Sequence, residues 1–169
     1  MKLVGLGSNL PAAPWGAPID VCRAALGRFP EAGMRVASCS RWYRSAPVPA
    51  SDQPWFVNGV ARIETGLDPQ AALDALLGIE AAMGRLRTER WGPRVIDLDL
   101  LAWDDFVTKD SDGGSALVLP HPRLHERAFV VRPLAEVAPD WRHPRLGKDV
   151  GELLADLPPG QAASPVADG

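Results

Sequence analysis

The apolar positions along the chain fall into segments of two different periods. "KLVGLGSNL" near the N-terminus reads as a short buried strand running into a tight, glycine-containing turn at Gly7-Ser8-Asn9. Between Pro18 and Phe29, Ile19, Cys22, Leu26 and Phe29 recur at helical spacing, and Pro18 suits the first turn of that helix. "MRVASCSRWY" (34–43) and "FVNGVARIET" (56–65) are rich in β-branched and aromatic residues and predict strands. Between them lies "RSAPVPASDQP", a long, proline-rich loop of the kind that often carries function. Asp68-Pro69 supplies an N-cap and first-turn pair for a second helix, with Leu73, Leu76, Leu77, Ile79 and Met83 on its apolar side and Gly84 at its stop. An arginine-rich loop (85–94) then leads into the strand of "VIDLDLL".

This order, βαββαβ, is the split βαβ plan of ferredoxin-like α+β folds. Beyond it, "DDFVTKDSDGGSA" reads as a surface loop around an extra hairpin. "LVLPHPRLHERAFVVRPLAEVAP" predicts a turn and a helix, and another short helix is expected near 149–155. The expectation is one α+β domain over 1–157, a ferredoxin-like core with additional C-terminal strands and helices. The Pro/Gly-rich tail, 158–169, is expected to be disordered.

The strand "RWGPRVIDLDLL" holds the sharpest chemical signal. Side chains on a strand alternate faces, so Ile96, Leu98 and Leu100 point one way and Asp97 and Asp99 the other. Two carboxylates within about 7 Å on one face repel each other. A positive partner is required. It is either a hard cation such as Mg²⁺, which binds through one or two carboxylates together with phosphate oxygens, or a salt-bridge network with Arg85, Arg87, Arg90 and Arg94. The spacing alone leaves both open. The arginines, interrupted by Gly92 and Pro93, would also suit clamping a phosphate chain.

Composition narrows the classes. The chain has 169 residues, 46% hydrophobic and 23% charged, as in soluble globular domains. A formal net charge of −3 argues against a duplex-wrapping basic protein. Cys22 and Cys39 have no paired metal spacing and read as buried thiols. No stretch is long and apolar enough to predict a membrane span, and no signal peptide is evident, so a cytoplasmic protein is expected. "GLGSN" lacks the spacing and lysine of a P-loop. His121 between prolines, Phe56 and Asn58 on one strand face, and Glu80 on an apolar helix each have a plain structural explanation when taken singly. So do Trp55, Trp91, Trp103 and Trp141, as packing residues.

Taken in order, "GLGSN", "YRSAPVPASDQPWFVN", "IEAAMGRLRTERWGPRVIDLDLL" and "LPHPRLHERAFVVRPL" closely resemble the 6-hydroxymethyl-7,8-dihydropterin pyrophosphokinase family, from Leu3 to about Pro139. The resemblance implies transfer of the β,γ-diphosphate of ATP to the pterin hydroxymethyl group, with two Mg²⁺ ions and release of AMP. It implies Asp97 and Asp99 as magnesium ligands, with Asp97 also near the substrate hydroxyl, and Arg85 and Arg94 in support of the chemical step. Glu80, Arg87, Trp91, Arg94, Leu100, His121 and Arg127 fall on its ATP-contacting positions. Phe56 and Phe129 match rings that sandwich the pterin, and Ser45, Ala46, Val48, Asn58 and Asp97 match its other pterin contacts. Ser45-Ala46 and Pro49 depart from the usual family residues in the substrate loop.

The expected partners are therefore small molecules, with no nucleic acid or membrane, acting on a monomer. Two rival readings use the same features. A Mg²⁺-dependent phosphohydrolase would need the aspartates but not the Phe56/Phe129 ring pair. A non-enzymatic nucleotide- or RNA-binding module would need exposed aromatic stacking on the sheet.

Overall fold

The computed structural model describes residues 1–84, 95–109 and 117–167. Among them the elements run β1 (Lys2–Ser8), α1 (Pro18–Gly27), β2 (Arg35–Cys39), β3 (Tyr43–Ser45), β4 (Phe56–Glu64), α2 (Pro69–Ala82), β5 (Asp97–Trp103), α3 (Ala128–Val137), α4 (Val150–Ala155) and β6 (Ala163–Pro165). One sheet runs β5-β1-β4-β3-β6, with β2 also pairing to β4. β1 lies between β4 and β5 and is antiparallel to both. The α+β class expected from the sequence is present.

Period two along the strands divides the core. Val4, Leu6, Ala61, Ile63, Leu98 and Leu100 are buried with Val21 and Cys22 of α1 and Leu76 and Ile79 of α2. Leu3, Val60 and Leu101 are buried on the other side, with Val131 and Leu134 of α3, Leu153 of α4, and Trp141. The helix ends follow the sequence signals. Asp68 Oδ1 accepts the Ala71 N–H at 2.8 Å, and Gly84, with φ of 81°, takes the left-handed position after α2. Asp149 and Glu152 form a reciprocal capping box on α4.

Four expectations change. Gly7 and Ser8 belong to β1 rather than to a turn. The strand expected over 34–43 is two strands, because Ser40 Oγ accepts the Val60 N–H at 3.0 Å where a main-chain partner would continue the ladder. Within the tail expected to be disordered, the described residues 158–167 include a strand. Residues 163–165 form β6 against β3, Ala163 is buried, and Gln161 accepts from the Ala128 N–H at 2.9 Å. Pairing at the edge of β3 satisfies a backbone whose composition alone predicts no structure. Trp55 is 44% exposed, not packed, with the Arg44 guanidinium 5.0 Å from its ring centroid. Residues 104–109 hold no strand, and 110–116 lie outside the described residues.

Candidate active site

The cavity opens on the α3 side of the sheet, where the apolar layer gives way to polar side chains. Its volume is about 490 Å³. On β5, Asp97 and Asp99 stand half-buried over it, while Ile96, Leu98 and Leu100 are buried in the opposite core. Gly7 pairs with Asp97 and Gly5 with Asp99, so β1 contributes a floor without side chains beside the two carboxylates.

On the far side of β1, Asn58 pairs with Gly7. Its Nδ2 donates to Ser45 Oγ at 2.6 Å, and both residues are buried. Phe56 and Phe129 line the same cavity, and the Arg127 guanidinium lies 5.6 Å from the Phe129 ring centroid. The loop from Ala46 to Gln53 forms a wall through Pro47, Val48 and Pro49.

The remaining wall is cationic. Arg123 and Arg127 line the cavity together with His121. His121 is fixed at the end of β5, its N–H donating to the Leu101 carbonyl at 2.8 Å, and its Nδ1 accepts the Arg123 N–H at 3.2 Å. Burial first, then the neighbouring Arg127 and Arg123 against the opposite pull of Asp97, push its pKa down to about 4. At neutral pH the ring is uncharged and its proton sits on Nε2, a hydrogen-bond donor.

Ser8 and Asn9 anchor two segments that enter the site. Ser8 Oγ donates to the Val95 carbonyl at 2.5 Å, just before the Asp-x-Asp strand. Asn9 Nδ2 donates to Gln53 Oε1 and to the Pro54 carbonyl, each at 3.2 Å.

The structure thus gathers Asp97, Asp99, Ser45, Ala46, Val48, Phe56, Asn58, His121, Arg127 and Phe129 into one cavity. Glu80 and Leu100 are not in its lining. Glu80 is 2% exposed on α2, and its Oε1 accepts the Leu98 N–H at 2.7 Å on the outer edge of β5. The Leu100 side chain is buried in the α1/α2 core. Arg85, Arg87, Trp91 and Arg94 lie outside the described residues. Gly5, Gly7, Asn9, Gln53 and Arg123 escaped the sequence reading. Alternate glycines on a strand, leaving one face bare, were the available signal for the first two.

Among the described residues no cluster of three or more His, Cys, Asp or Glu is placed to hold a metal. Two half-buried carboxylates on one strand face still fit Mg²⁺, whose remaining positions are filled by water and phosphate oxygens. No helix among the described residues is long and apolar enough to cross a membrane.

A cavity lined by two carboxylates, two arginines, two phenylalanine rings and a buried amide has the make-up of a small-molecule site. The family is more specific. Residues 3–139 match the model of 7,8-dihydro-6-hydroxymethylpterin-pyrophosphokinase, and the chain belongs to that family. It is 44% identical over 158 residues to the 2-amino-4-hydroxy-6-hydroxymethyldihydropteridine pyrophosphokinase of Methylorubrum extorquens, covering 92% of both chains. The enzyme of that name from Pseudomonas aeruginosa is also 44% identical over 158 residues, covering 92% of this chain and 90% of its own. A folic acid synthesis protein of Schizosaccharomyces pombe is 42% identical over 126 residues, 75% of this chain but 17% of that longer one.

Proposed function

We propose that the protein transfers the β,γ-diphosphate of ATP to 6-hydroxymethyl-7,8-dihydropterin, releasing AMP, in folate synthesis. The observation that carries this reading is the shared cavity, which brings Asp97 and Asp99 together with Phe56, Asn58 and Phe129. A phosphohydrolase has no use for the ring pair, and a nucleic-acid module would present its aromatics on an open sheet face.

The pterin ring lies between Phe56 and Phe129, with the Asn58 amide and Ser45 at its edge and Ala46 and Val48 on the loop wall. Asp97 faces the hydroxymethyl oxygen, which attacks the β-phosphorus of ATP. Asp97 and Asp99 would hold two Mg²⁺ ions, which supply positive charge against the phosphate oxygens. Arg123 and Arg127 add fixed positive charge from the opposite wall, and neutral His121 offers a donor without repelling them.

Glu80 and Leu100 fit contacts with ATP at another place. The Leu98 N–H bonded to Glu80 marks the outer edge of β5, and Leu100, two residues on, presents its main chain to that same edge. With its side chain buried, Leu100 acts through backbone groups. Arg87 and Trp91 complete the ATP contacts, and Arg85 and Arg94 support the chemical step. Replacing Arg85 with alanine should lower kcat markedly and change the ATP dissociation constant little, with lysine rescuing only in part. On this reading the enzyme is a monomer whose single domain, expected over 1–157, extends through β6, which pairs with β3. The strand order β5-β1-β4 with β2 and β3 beyond supports a ferredoxin-like core, and the reaction suits a cytoplasmic enzyme.

The test is incubation with ATP, Mg²⁺ and the reduced hydroxymethylpterin. AMP should form in step with pterin consumption. Pterin-independent release of phosphate would instead identify a hydrolase.

A further inference from the structure

Glycine in the middle of a strand is unfavourable, since it gives up conformational freedom and packs nothing. Gly7 is such a residue, within β1 and hydrogen-bonded strands on both sides. Its backbone does not require glycine, because its φ is not in the left-handed region. Space does require it. A Cβ built on Gly7 would stand 2.9 Å from Asn58 Oδ1, closer than such atoms approach. Asn58 cannot easily yield, because it is buried and its Nδ2 is tied to Ser45 Oγ at 2.6 Å.

We propose that Gly7 is a specificity-determining position, which by lacking a side chain lets the Asn58 amide lie across β1 and hold its oxygen as an acceptor at the cavity floor. Asp97, Gly7 and Asn58 form one row across three strands. Adjacent strands are about 4.8 Å apart, so roughly 10 Å separates the strands of the acid and the amide, and the amide oxygen, projecting over Gly7, leaves a narrower slot between itself and the carboxylate. That slot takes a flat ring with a hydrogen-bond donor on its edge, and reaches from the amide to the carboxylate. The inference rests on the pterin reading of the cavity and assigns to Gly7 the shape of the pterin half.

The experiment is a double-mutant cycle on the full chain with Gly7→Ala, Asn58→Ala and the double variant. KM for pterin and for ATP are read from AMP formation, and thermal melting is recorded for each protein. Gly7→Ala should raise the pterin KM by about tenfold, the equivalent of a displaced hydrogen-bonding group, and leave the ATP KM within about twofold. In the Asn58→Ala background the same substitution should add almost nothing, because the displaced amide is already gone. A wild-type pterin KM in Gly7→Ala, or effects that multiply in the double variant, would overturn the role. If Gly7→Ala does not fold, the double variant should fold, since the clash is with Asn58; its failure too would overturn it. Absence of pterin-dependent AMP from the wild-type chain would strike the activity itself, and direct calorimetry of pterin binding to the four proteins would then still decide the Gly7 question.

Discussion

On β5, Leu98 is buried against α1 and α2, while its neighbours Asp97 and Asp99 stand half-buried over the cavity on the α3 side. β1 repeats the contrast, with Val4 and Leu6 in the apolar core and Gly5 and Gly7 lining the cavity. So does β4, with Ala61 and Ile63 on one side and Phe56 and Asn58 on the other. Around the cavity, three adjacent strands therefore pack the α1/α2 core with one parity of residues and line the site with the other. Leu3, Val60 and Leu101 continue that second face into the core against α3. A shift of one residue in register would exchange the two. The carboxylates and the core that fixes them are separated by a single peptide unit, which leaves the acids little freedom to drift from each other or from the cavity floor.

The strongest test of this division compares neighbours on β5. Leu98→Ala should cost roughly 2–5 kcal/mol of stability by leaving a cavity in the apolar face, with little effect on turnover by the folded protein. Asp97→Ala or Asp99→Ala should do the reverse. Activity should fall on the order of a thousandfold, as when a key group stabilising developing charge is removed. Stability should hold or rise slightly, because one of two close like charges has gone. Urea unfolding and AMP formation on the three variants check both halves. Destabilisation by the aspartate variants, with orphaned arginines as its cause, would make the pair a structural salt-bridge element instead.

Acid should discriminate between the faces next. The chain has three histidines, at 121, 125 and 143, and none lies on the α1/α2 side. His121 and His143 are both held down to about 4, His121 chiefly by burial and Arg127, His143 chiefly by burial and His125. The folded pKa is below the unfolded value of about 6.5, so the unfolded chain takes up these protons first. Their contribution is therefore fully present above pH 6.5 and is lost as pH falls towards 4. It is at most about 3 kcal/mol each, reduced by solvent screening at the half-buried His121. Unfolding free energies at pH 7 and pH 4.5 should differ less in His143→Phe than in the wild type. An unchanged difference would remove His143 from the account.

A smaller effect belongs to Phe56, within the cavity. Phe56→Ala should weaken pterin binding by about 1–3 kcal/mol, on the scale of stacking on a flat base, and leave ATP binding nearly intact. Equal weakening of both ligands, measured by calorimetry, would show that its ring packs the cavity rather than the substrate.

Much of this was legible because departures from a pattern are informative. Asp97 and Asp99 stand out against the alternating Ile96, Leu98 and Leu100, so their shared face could be read from spacing. Asp68-Pro69 and Gly84 announced the ends of α2 for the same reason. The metal-or-arginine question was not legible, since Arg123 and Arg127 reach the aspartates' cavity from a segment more than twenty residues away. Neither was β6, whose order comes from the edge of β3 rather than from its own residues. Glu80 needed the fold as well, because its buried carboxylate is explained by an edge N–H that only the packing of α2 against β5 brings near. "GLGSN" was misread through its glycines, which suggested a turn. The strand continues to Ser8, and the glycines serve a face rather than a bend.

The last residue of that motif gives the subtlest test, because it sits just past the strand and connects to the loop wall. Asn9 is 1% exposed, and its Nδ2 supplies both hydrogens, one to Gln53 Oε1 and one to the Pro54 carbonyl. Those two acceptors close the loop that carries Ala46, Val48 and Gln53 along the cavity. Asn9→Ala removes both donors at a net cost of about 1 kcal/mol for each hydrogen bond. The loop should then hold its place less well, raising the pterin KM a few-fold while kcat and the ATP dissociation constant stay near wild type. Asn9→Asp should be worse than alanine, because it turns a donor into a carboxylate facing two acceptor oxygens, where burial forbids it easy solvation. Raising the acidity should narrow the gap, since a protonated aspartate regains one donor. Steady-state kinetics on both variants at two pH values would settle the order. An alanine variant worse than aspartate at neutral pH would mean that Asn9 serves by filling space, and that the loop wall is held by something other than these two hydrogen bonds.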